Sequence, residues 1–280
     1  MDSEVNVAFP SIVADFGIEV PQIKWIVITY ILAAASLTIV FGKLGDLFGH
    51  RRVLATGVAT SVLSYLLCAF APTYEFLIGF RFLQGISQGL SLSCIVALMT
   101  LNVAPERKRG VVGVLVTVVG VGMAAGPILG GVLVDWFGWP SVFWSRAVLA
   151  VVILLFLGHV AAPDRPRKAV VDFDATGALL LFVVLGGVIS LSAIVTAGQL
   201  QLVLLAASVV GILLGGYAFH RHECRHPSPI VEMSHFSHPP FTFLQLAAVT
   251  INLACFSVPL LMPFALARGF ELSFFEGGFV

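Results

Sequence analysis

The sequence contains few charged residues. Asp, Glu, Lys and Arg together make up 11% of its 280 residues, whereas about 25% is typical of soluble globular domains. Hydrophobic residues make up 59%, and the mean hydropathy is +1.02. The net charge is zero, so no basic surface for a nucleic acid is indicated. This composition excludes an ordinary soluble domain and predicts a polytopic membrane protein.

Cysteine is also scarce, and the sequence lacks signatures of covalent chemistry. Of the four cysteines, Cys68, Cys94 and Cys255 fall inside apolar runs, where a free thiol behaves as a small hydrophobic group. No disulfide framework is therefore indicated. The sequence carries no nucleophile elbow, phosphate-binding loop or dinucleotide fingerprint. We expect a protein that is not an enzyme and that needs no cofactor.

Long apolar runs are abundant. A membrane-spanning helix needs about 20 mostly apolar residues, and eight runs meet this requirement. They cover about residues 22–41, 53–71, 76–101, 111–134, 142–162, 175–197, 200–219 and 241–264. A ninth run, 2–16, has the character of the second half of a span, and the sequence ends where another helix would begin. The expected fold class is all-α: an incomplete polytopic membrane bundle with about eight full spans plus part of a first.

Basic residues mark alternate connections between these runs. Lys and Arg collect in the cytoplasmic loops of membrane proteins. The four connections concerned contain Lys43, Arg51 and Arg52; Arg107, Lys108 and Arg109; Arg165, Arg167 and Lys168; and Arg221 and Arg225. We therefore expect the connections after the second, fourth, sixth and eighth spans to be cytoplasmic, in a multi-pass protein of the plasma membrane.

One of these connections, FGKLGDLFGHRRVL at residues 41–54, combines an aspartate with glycines and basic residues. Anchoring on the cytoplasmic side explains the basic residues but not the aspartate or the glycines, which permit a tight turn and close helix approach. The stretch resembles the G-x-L-x-D-x-x-G-[RK]-[RK] signature of the major facilitator superfamily, with histidine at one usually basic position. The matching residues are Gly42, Leu44, Gly45, Asp46, Gly49, His50, Arg51 and Arg52.

The resemblance implies that this stretch gates the cytoplasmic side. Asp46 would act as a latch that meets the N-terminal end of a helix from the other half of the transporter when that side is closed. A helix N-terminus attracts a carboxylate through its macrodipole, so the physics agrees with the implied role.

A second motif, RFLQGISQG at residues 81–89, places an arginine inside an apolar run. A charged side chain at the centre of a bilayer costs about 3 kcal/mol or more, so it normally faces a cavity or a partner. The alternative is that Arg81 extends along its aliphatic stem to the outer interface. The R-x-x-Q-G pattern resembles the fourth-helix signature of the superfamily, which implies a role in proton coupling for Arg81, Gln84 and Gly85.

A third motif, GMAAGPILGG at residues 122–131, contains glycines at every fourth position. Such spacing forms a smooth helical face that another backbone can approach, and the proline is expected to bend the helix. Spaced small residues alone more often mark simple packing. The full string, however, resembles the G-x-x-x-G-P-x-x-G-G motif of the antiporter branch of the superfamily. Its residues are Gly122, Gly126, Pro127, Gly130 and Gly131.

The N-terminal NVAFP, residues 6–10, resembles the end of the first-helix signature of the fourteen-span drug:proton antiporters. That signature usually has an aspartate five residues before the asparagine, whereas Asp2 stands four before Asn6, with Glu4 between them. Carboxylates buried at mid-membrane are suited to taking up and releasing protons. Asp2 and Glu4 are therefore candidates for proton coupling. The alternative is that both belong to a solvated chain terminus.

Arg146 lies in GWPSVFWSRAV, at a position where the family more often has asparagine. As a cavity residue it would favour anionic or zwitterionic substrates over cationic ones. As an interfacial residue, its side chain would simply extend to the membrane surface. Arg146 and Asn6 are the candidate residues of a substrate cavity.

Histidines crowd the segment that follows the eighth span, where HRHECRH at residues 220–226 has ligand types that bind metals. We expect neither a C-x-x-C pair nor a helical H-x-x-x-H pair to fix a site here. A polar interfacial loop is the favoured interpretation, and no metal site is predicted.

The resemblance covers the whole chain and implies proton-coupled export of small amphipathic molecules by alternating access between two bundles. The partners would be a small-molecule substrate, protons, the lipid bilayer and the C-terminal half of the transporter, which the sequence does not include. We divide the chain into an N-terminal six-helix bundle (1–162), a linker with two extra spans (163–219) and the start of a C-terminal bundle (220–280). The alternative is a truncated, non-transporting membrane fragment, or a partner of a complete transporter.

Overall fold

The computed structural model describes residues 3–101, 103–158, 174–196, 202–227, 229–231, 233–234 and 238–251. All regular structure in these ranges is helical. Besides a short 3-10 helix, Val20–Ile23, the helices are α1 (Ser3–Phe16), α2 (Lys24–Phe48), α3 (His50–Ala69), α4 (Tyr74–Leu101), α5 (Pro105–Phe137), α6 (Pro140–Leu157), α7 (Ala175–Thr196), α8 (Leu202–Glu223) and α9 (Pro239–Ile251). The expected all-α membrane bundle is confirmed.

Six of these helices are long and apolar enough to cross a membrane: α2 to α6 and α8. They correspond to six of the eight expected spans. The other two expected spans correspond to shorter apolar helices within the described residues: Ala175–Val188, which is part of α7, and Pro239–Ile251, which is α9. Residue 2 and the segments 159–173 and 252–280, where Asp2, Arg165, Arg167 and Lys168 were expected to act, lie outside the described residues.

Two stretches that we expected to be connecting loops are helical instead. Helix α2 continues to Phe48, so most of the signature stretch lies on its last two turns. Helix α5 begins at Pro105, so the basic residues 107–109 lie on its first turns. Proline is favoured at this position because its missing N–H group would have no partner there. Polar residues can extend a helix beyond the hydrocarbon region, which apolar run length alone does not predict.

The turn between α2 and α3 depends on a single glycine. Gly49 has φ 96°, a conformation that residues with a side chain rarely adopt, and its N–H donates to the Gly45 carbonyl at 2.9 Å. Gly138, with φ 76°, makes the corresponding turn between α5 and α6 and donates to Val134. Because these connections are so short, each pair of helices is antiparallel.

Helix α4 packs against both α2 and α3 through small residues. Gly57 of α3 lies so close to α4 that an added Cβ would be 2.9 Å from the Ser91 backbone nitrogen. Gly85 of α4 lies equally close to α2, where a Cβ would overlap the Tyr30 carbonyl oxygen. The close approach of these three helices defines the centre of the bundle.

Two apolar clusters close the bundle at its opposite ends. One joins the C-terminal end of α1, the start of α2 and the α5–α6 turn, and includes Phe9, Ile26 and Phe143. The other joins the end of α6 with the start of α3 and the later turns of α4, and includes Leu54, Cys94 and Leu157. The charged side chains described below lie among these packed helices.

Two of the glycines of α4 test this packing. We expect Gly85→Ala to destabilise the protein by about 1–3 kcal/mol, the usual cost of overpacking, since the new methyl would overlap α2 backbone. Gly79→Ala is the matched control, because it lies on the same helix with no atom within 4 Å of an added Cβ. The measurement is the melting temperature of each purified variant in detergent. Equal melting temperatures for the two variants would contradict the α2–α4 packing.

Candidate functional site

Arg81 lies at the centre of the bundle and is fully buried. Its Nε donates to the Ile26 carbonyl at 3.2 Å, and its Nη1 donates to Gln84 Oε1 at 2.7 Å. The guanidinium carbon lies 4.7 Å from the centre of the Tyr30 ring and 5.8 Å from that of Phe143. The side chain thus remains inside the bundle rather than extending to the membrane surface, and aromatic faces offset part of its desolvation.

The predicted partners of Arg81 on α4 lie where the motif spacing places them. Gln84 follows one helical turn later, on the same face, and is 2% exposed. Gly85 provides the close contact with α2 that brings the Tyr30 ring and the Ile26 carbonyl to the arginine. The R-x-x-Q-G motif therefore forms one structural unit: a buried cation, its amide acceptor and the small residue that lets α2 approach.

A buried ion pair connects α1 to α6. Arg146 Nε lies 2.8 Å from Glu4 Oε2, and the exposed fractions of the two side chains are 9% and 20%. Both side chains are thus mostly removed from solvent, and each charge is compensated by the other. Arg146 neither extends to an interface nor presents a bare charge to a cavity in this state.

The antiporter motif of α5 contacts the same ion pair. Gly130 is buried, and an added Cβ would lie 2.9 Å from both Cα and the carbonyl oxygen of Glu4. Gly126 and Gly131 are also buried, and Pro127 lies inside the continuous helix α5. Gly122 differs, because no described atom lies within 4 Å of its Cβ position. The smooth face is thus used for close approach at Gly130, next to Glu4, and not at Gly122.

Asn6 lies on α1 two residues after Glu4 and is half-buried. The C-terminal end of α1 is held in place by Asp15, whose Oδ2 accepts a hydrogen bond from Trp139 Nε1 at 2.8 Å. The Trp139 ring also lies 5.4 Å from Phe16. These contacts fix α1 against the α5–α6 turn, and so fix the direction in which Glu4 approaches Arg146.

The signature stretch lies at the opposite end of α2. Asp46 is half exposed, with 51% of its side chain accessible, and its Oδ1 lies 3.3 Å from His50 Nε2. Gly45 is buried because His50 and Cys94 fill the space beside it, whereas Gly42 has no described atom within 4 Å of its Cβ position. Only Gly49 makes the turn that we expected the three glycines to share.

The basic residues of this stretch contact other helices. Arg51 Nη2 donates to the carbonyls of Leu157 and Gly158 at 3.1 and 2.9 Å, which satisfies the C-terminal end of α6. Lys43 Nζ donates to the Pro229 carbonyl, in the segment after α8. The end of α2, the end of α6 and the end of α8 therefore lie on the same side of the bundle. Leu44 packs at the edge of the apolar cluster at that end.

The sequence analysis missed the surroundings of the histidines. His220 and His222 lie on the last turn of α8 rather than in a loop, and His226 follows four residues after His222. Because α8 ends at Glu223, His226 lies beyond the helix, and the two residues are not a helical H-x-x-x-H pair. The spacing was readable from the sequence, but Asp174, which lies 2.7 Å from His222 through its Oδ1, is 48 residues away and was not associated with it.

Comparison with known proteins places these observations in a family. The family model of the Major Facilitator Superfamily matches residues 2–280. The riboflavin transporter RibZ of Clostridioides difficile is 30% identical over 99% of this chain and 60% of its own length. The tetracenomycin C resistance and export protein of Streptomyces glaucescens is 30% identical over 90% of this chain and 46% of its own length.

A third relative is the multidrug transporter protein MdtP of Bacillus subtilis, which is 27% identical over 98% of this chain and 50% of its own length. The chain thus spans about 60% or less of the length of these three curated relatives. The family match extends over nearly every residue of the chain, and the helical bundle agrees with it. The chain belongs to the Major Facilitator Superfamily of membrane transporters.

Proposed function

We propose that this chain supplies the N-terminal bundle of a proton-coupled exporter of small amphipathic molecules. The observation that carries the proposal is the ion pair between Glu4 and Arg146, buried between α1 and α6 and packed against Gly130. Burying a charged side chain among membrane helices costs free energy. An ionisable residue in such a place is therefore a functional-site hypothesis by default. The names of two relatives, an export protein and a multidrug transporter, support this direction of transport.

Protonation of Glu4 is the proposed coupling step. A protonated Glu4 is neutral and no longer attracts the guanidinium of Arg146, so the contact between α1 and α6 weakens. Proton uptake thereby changes the relative stability of two arrangements of the helices, which is how a ligand shifts a conformational equilibrium. We assign this role to Glu4, whose contacts the structure describes. Asp2, two residues earlier in the sequence, is a second candidate.

Arg81 is the fixed charge of the proposed mechanism. It contacts the ring of Phe143, which lies one helical turn before Arg146 on α6. If α6 shifts after the Glu4 contact is lost, the position of the Phe143 ring changes. The contacts of Arg81, including its hydrogen bond to Gln84, would then change as well. This packed connection between the two arginines supports a coupling role for the R-x-x-Q-G motif.

The same ion pair defines the proposed substrate class. While Glu4 is ionised, Arg146 is neutralised and the pair presents no net charge. When Glu4 is protonated, Arg146 becomes an uncompensated cation, and an anionic or zwitterionic amphipathic molecule would stabilise it. Proton binding at Glu4 and substrate binding at Arg146 would thus be thermodynamically linked through this one pair.

Alternating access requires a second bundle. We propose that residues 1–162 move as one bundle, that 163–219 form the linker with its two extra spans, and that 220–280 lead into the second bundle, in the fourteen-span antiporter arrangement. The connections with basic residues would face the cytoplasm across the plasma membrane. Half-exposed Asp46 would then be available on the cytoplasmic side to the N-terminal end of a helix from the second bundle.

Proton flux tests the coupling step. The chain is reconstituted in proteoliposomes, alone and extended by the reading frame that flanks it, and proton flux is followed with an entrapped pH dye as riboflavin or another amphipathic substrate is added. We expect Glu4→Gln to reduce the substrate-stimulated flux to background, because glutamine cannot carry a proton. Glu106→Gln, the same change at an exposed position on α5, should leave it intact.

The outcomes of this experiment are distinct. Undiminished flux in Glu4→Gln would contradict the assignment of Glu4. Absence of flux from both forms of the parent chain would contradict transport and support the non-transporting membrane protein. Flux from the unextended chain would show that a second copy supplies the other bundle.

The ion pair also makes a prediction about stability. Arg146→Gln leaves Glu4 without its partner in a largely buried position, and removing one member of a buried pair typically costs about 3–5 kcal/mol. The double variant Glu4→Gln with Arg146→Gln should recover most of the lost melting temperature, because no uncompensated charge remains. Additive losses in the double variant, measured by thermal unfolding in detergent, would show that the two side chains do not interact.

The latch assignment has its own test. We expect Asp46→Asn to lower the rate of substrate export without changing the melting temperature, since a half-exposed side chain contributes little to folding. Asp135→Asn, at an exposed position near the other end of α5, is the matched control. Equal export rates in the two variants would remove Asp46 from the gating mechanism.

A further inference from the structure

A second polar cluster lies between the start of α7 and the end of α8, apart from the ion pair in the bundle. Asp174 immediately precedes α7, His222 lies on the last turn of α8, and His226 follows that helix. One potential ligand atom from each of the three lies within 4.8 Å of the others. The two imidazole rings lie 5.3 Å apart, tilted by 33°.

Backbone N–H groups satisfy only one oxygen of each carboxylate in this cluster. Asp174 Oδ1 accepts a hydrogen bond from the Gly177 N–H at 2.7 Å, as a residue that caps a helix N-terminus does. Glu223 Oε2 accepts one from the Val231 N–H at 2.8 Å. The other two carboxylate oxygens, Asp174 Oδ2 and Glu223 Oε1, are buried and have no hydrogen-bond partner among the residues that the structure describes. The residues that carry them are 2% and 3% exposed.

The two unsatisfied oxygens face the same small space. An added Cβ on Gly177 would overlap Asp174 Oδ2 and lie 2.6 Å from Glu223 Oε1, so both oxygens border the cleft that this glycine leaves open. Buried carboxylate oxygens are costly without a hydrogen bond or a cation, and two ionised carboxylates at close range repel each other. A cation bound between the two oxygens would reduce both costs.

The helix ends at the cluster act in opposite directions. The C-terminal end of α8, where the free carbonyl groups lie, favours a cation, whereas the N-terminal end of α7 disfavours one. Asp174 Oδ1 already satisfies the N-terminal end of α7, so the remaining carboxylate oxygens and the end of α8 favour positive charge at this place.

We propose that Asp174, His222 and His226 bind a divalent transition-metal ion, with Glu223 as an additional carboxylate ligand. Two imidazoles with one or two carboxylates form a nitrogen and oxygen ligand set that suits Zn²⁺ and its neighbours and is unlike the all-oxygen sets of Mg²⁺ and Ca²⁺. Ligands at about 2.0–2.2 Å from Zn²⁺ lie within about 4.4 Å of one another, and His226 Nδ1 is 3.9 Å from Asp174 Oδ2. His222 would exchange its contact with Oδ1 for the ion.

A metal at this place would join three segments of the chain. It would hold the start of α7 to the end of α8 and, through Glu223 and Val231, to the segment that leads to α9. Pro229 in that segment accepts a hydrogen bond from Lys43 of α2, so the site lies on the same side of the bundle as the signature stretch. The proposal does not depend on the transport mechanism, since none of its ligands belongs to the ion pair.

Metal binding to the purified chain in detergent tests the proposal. We expect Zn²⁺, added after chelation and desalting, to bind in isothermal titration and to raise the melting temperature, because a ligand of the folded state stabilises it. His222→Ala and His226→Ala should each weaken binding by more than about tenfold, since even loss of an outer-shell partner costs about 10–100-fold. His238→Ala is the matched control on the same segment, where the histidine is exposed and outside the cluster.

A second variant separates this site from a neighbouring pair. The Cys224 Sγ also lies 3.8–4.0 Å from the ring nitrogens of His220, at the exposed end of α8. The double change His220→Ala with Cys224→Ser should leave Zn²⁺ affinity unchanged, and Co²⁺ bound to the parent chain should show visible bands without a thiolate charge-transfer band. Absence of Zn²⁺ binding by the parent chain, or affinity lost in this double variant and kept in His222→Ala and His226→Ala, would overturn the proposal.

Discussion

The burial of two arginine side chains among apolar helices is the constraint on which the rest of this bundle depends. Arg81 is fully buried and Arg146 is 8% exposed. An unpaired cation in such a place would cost several kcal/mol, a large share of the stability of a typical domain. Several helices supply groups that satisfy them: α2 a carbonyl and a ring, α4 an amide, α6 a ring and α1 a carboxylate.

Glycine allows the arginines to be satisfied in this way. Their acceptors lie largely on neighbouring helices, and those helices must pack closely for the acceptors to reach the guanidinium groups. Gly85 admits the backbone of α2 towards Arg81, and Gly130 admits the backbone of α1 towards Arg146. A methyl group at either position would push the neighbouring helix away and lengthen the polar contacts that it supplies. The R-x-x-Q-G motif thus combines a charged residue with the small residue that lets its partner approach, and the antiporter motif supplies the small residue next to a charged pair outside it.

The sequence predicted the helices better than it predicted their partners. Apolar run length located the six spans, because spanning the hydrocarbon region requires about 20 apolar residues whatever the contacts are. It could not show that α2 continues through Asp46 or that α8 includes His222, since polar residues at a helix end leave no apolar signal. The Glu4–Arg146 pair joins residues 142 positions apart, and only the packing of α1 against α6 brings them together.

The two polar clusters differ in charge balance, and this difference separates their roles. Glu4 and Arg146 compensate each other's charge, and in the proposed mechanism this balance changes when a proton arrives. The cluster at α7 and α8 holds two carboxylates, each with one oxygen that has no hydrogen-bond partner among the described residues. On the two proposals made above, the balanced pair responds to protons, whereas the unbalanced cluster retains a cation that holds two helices together.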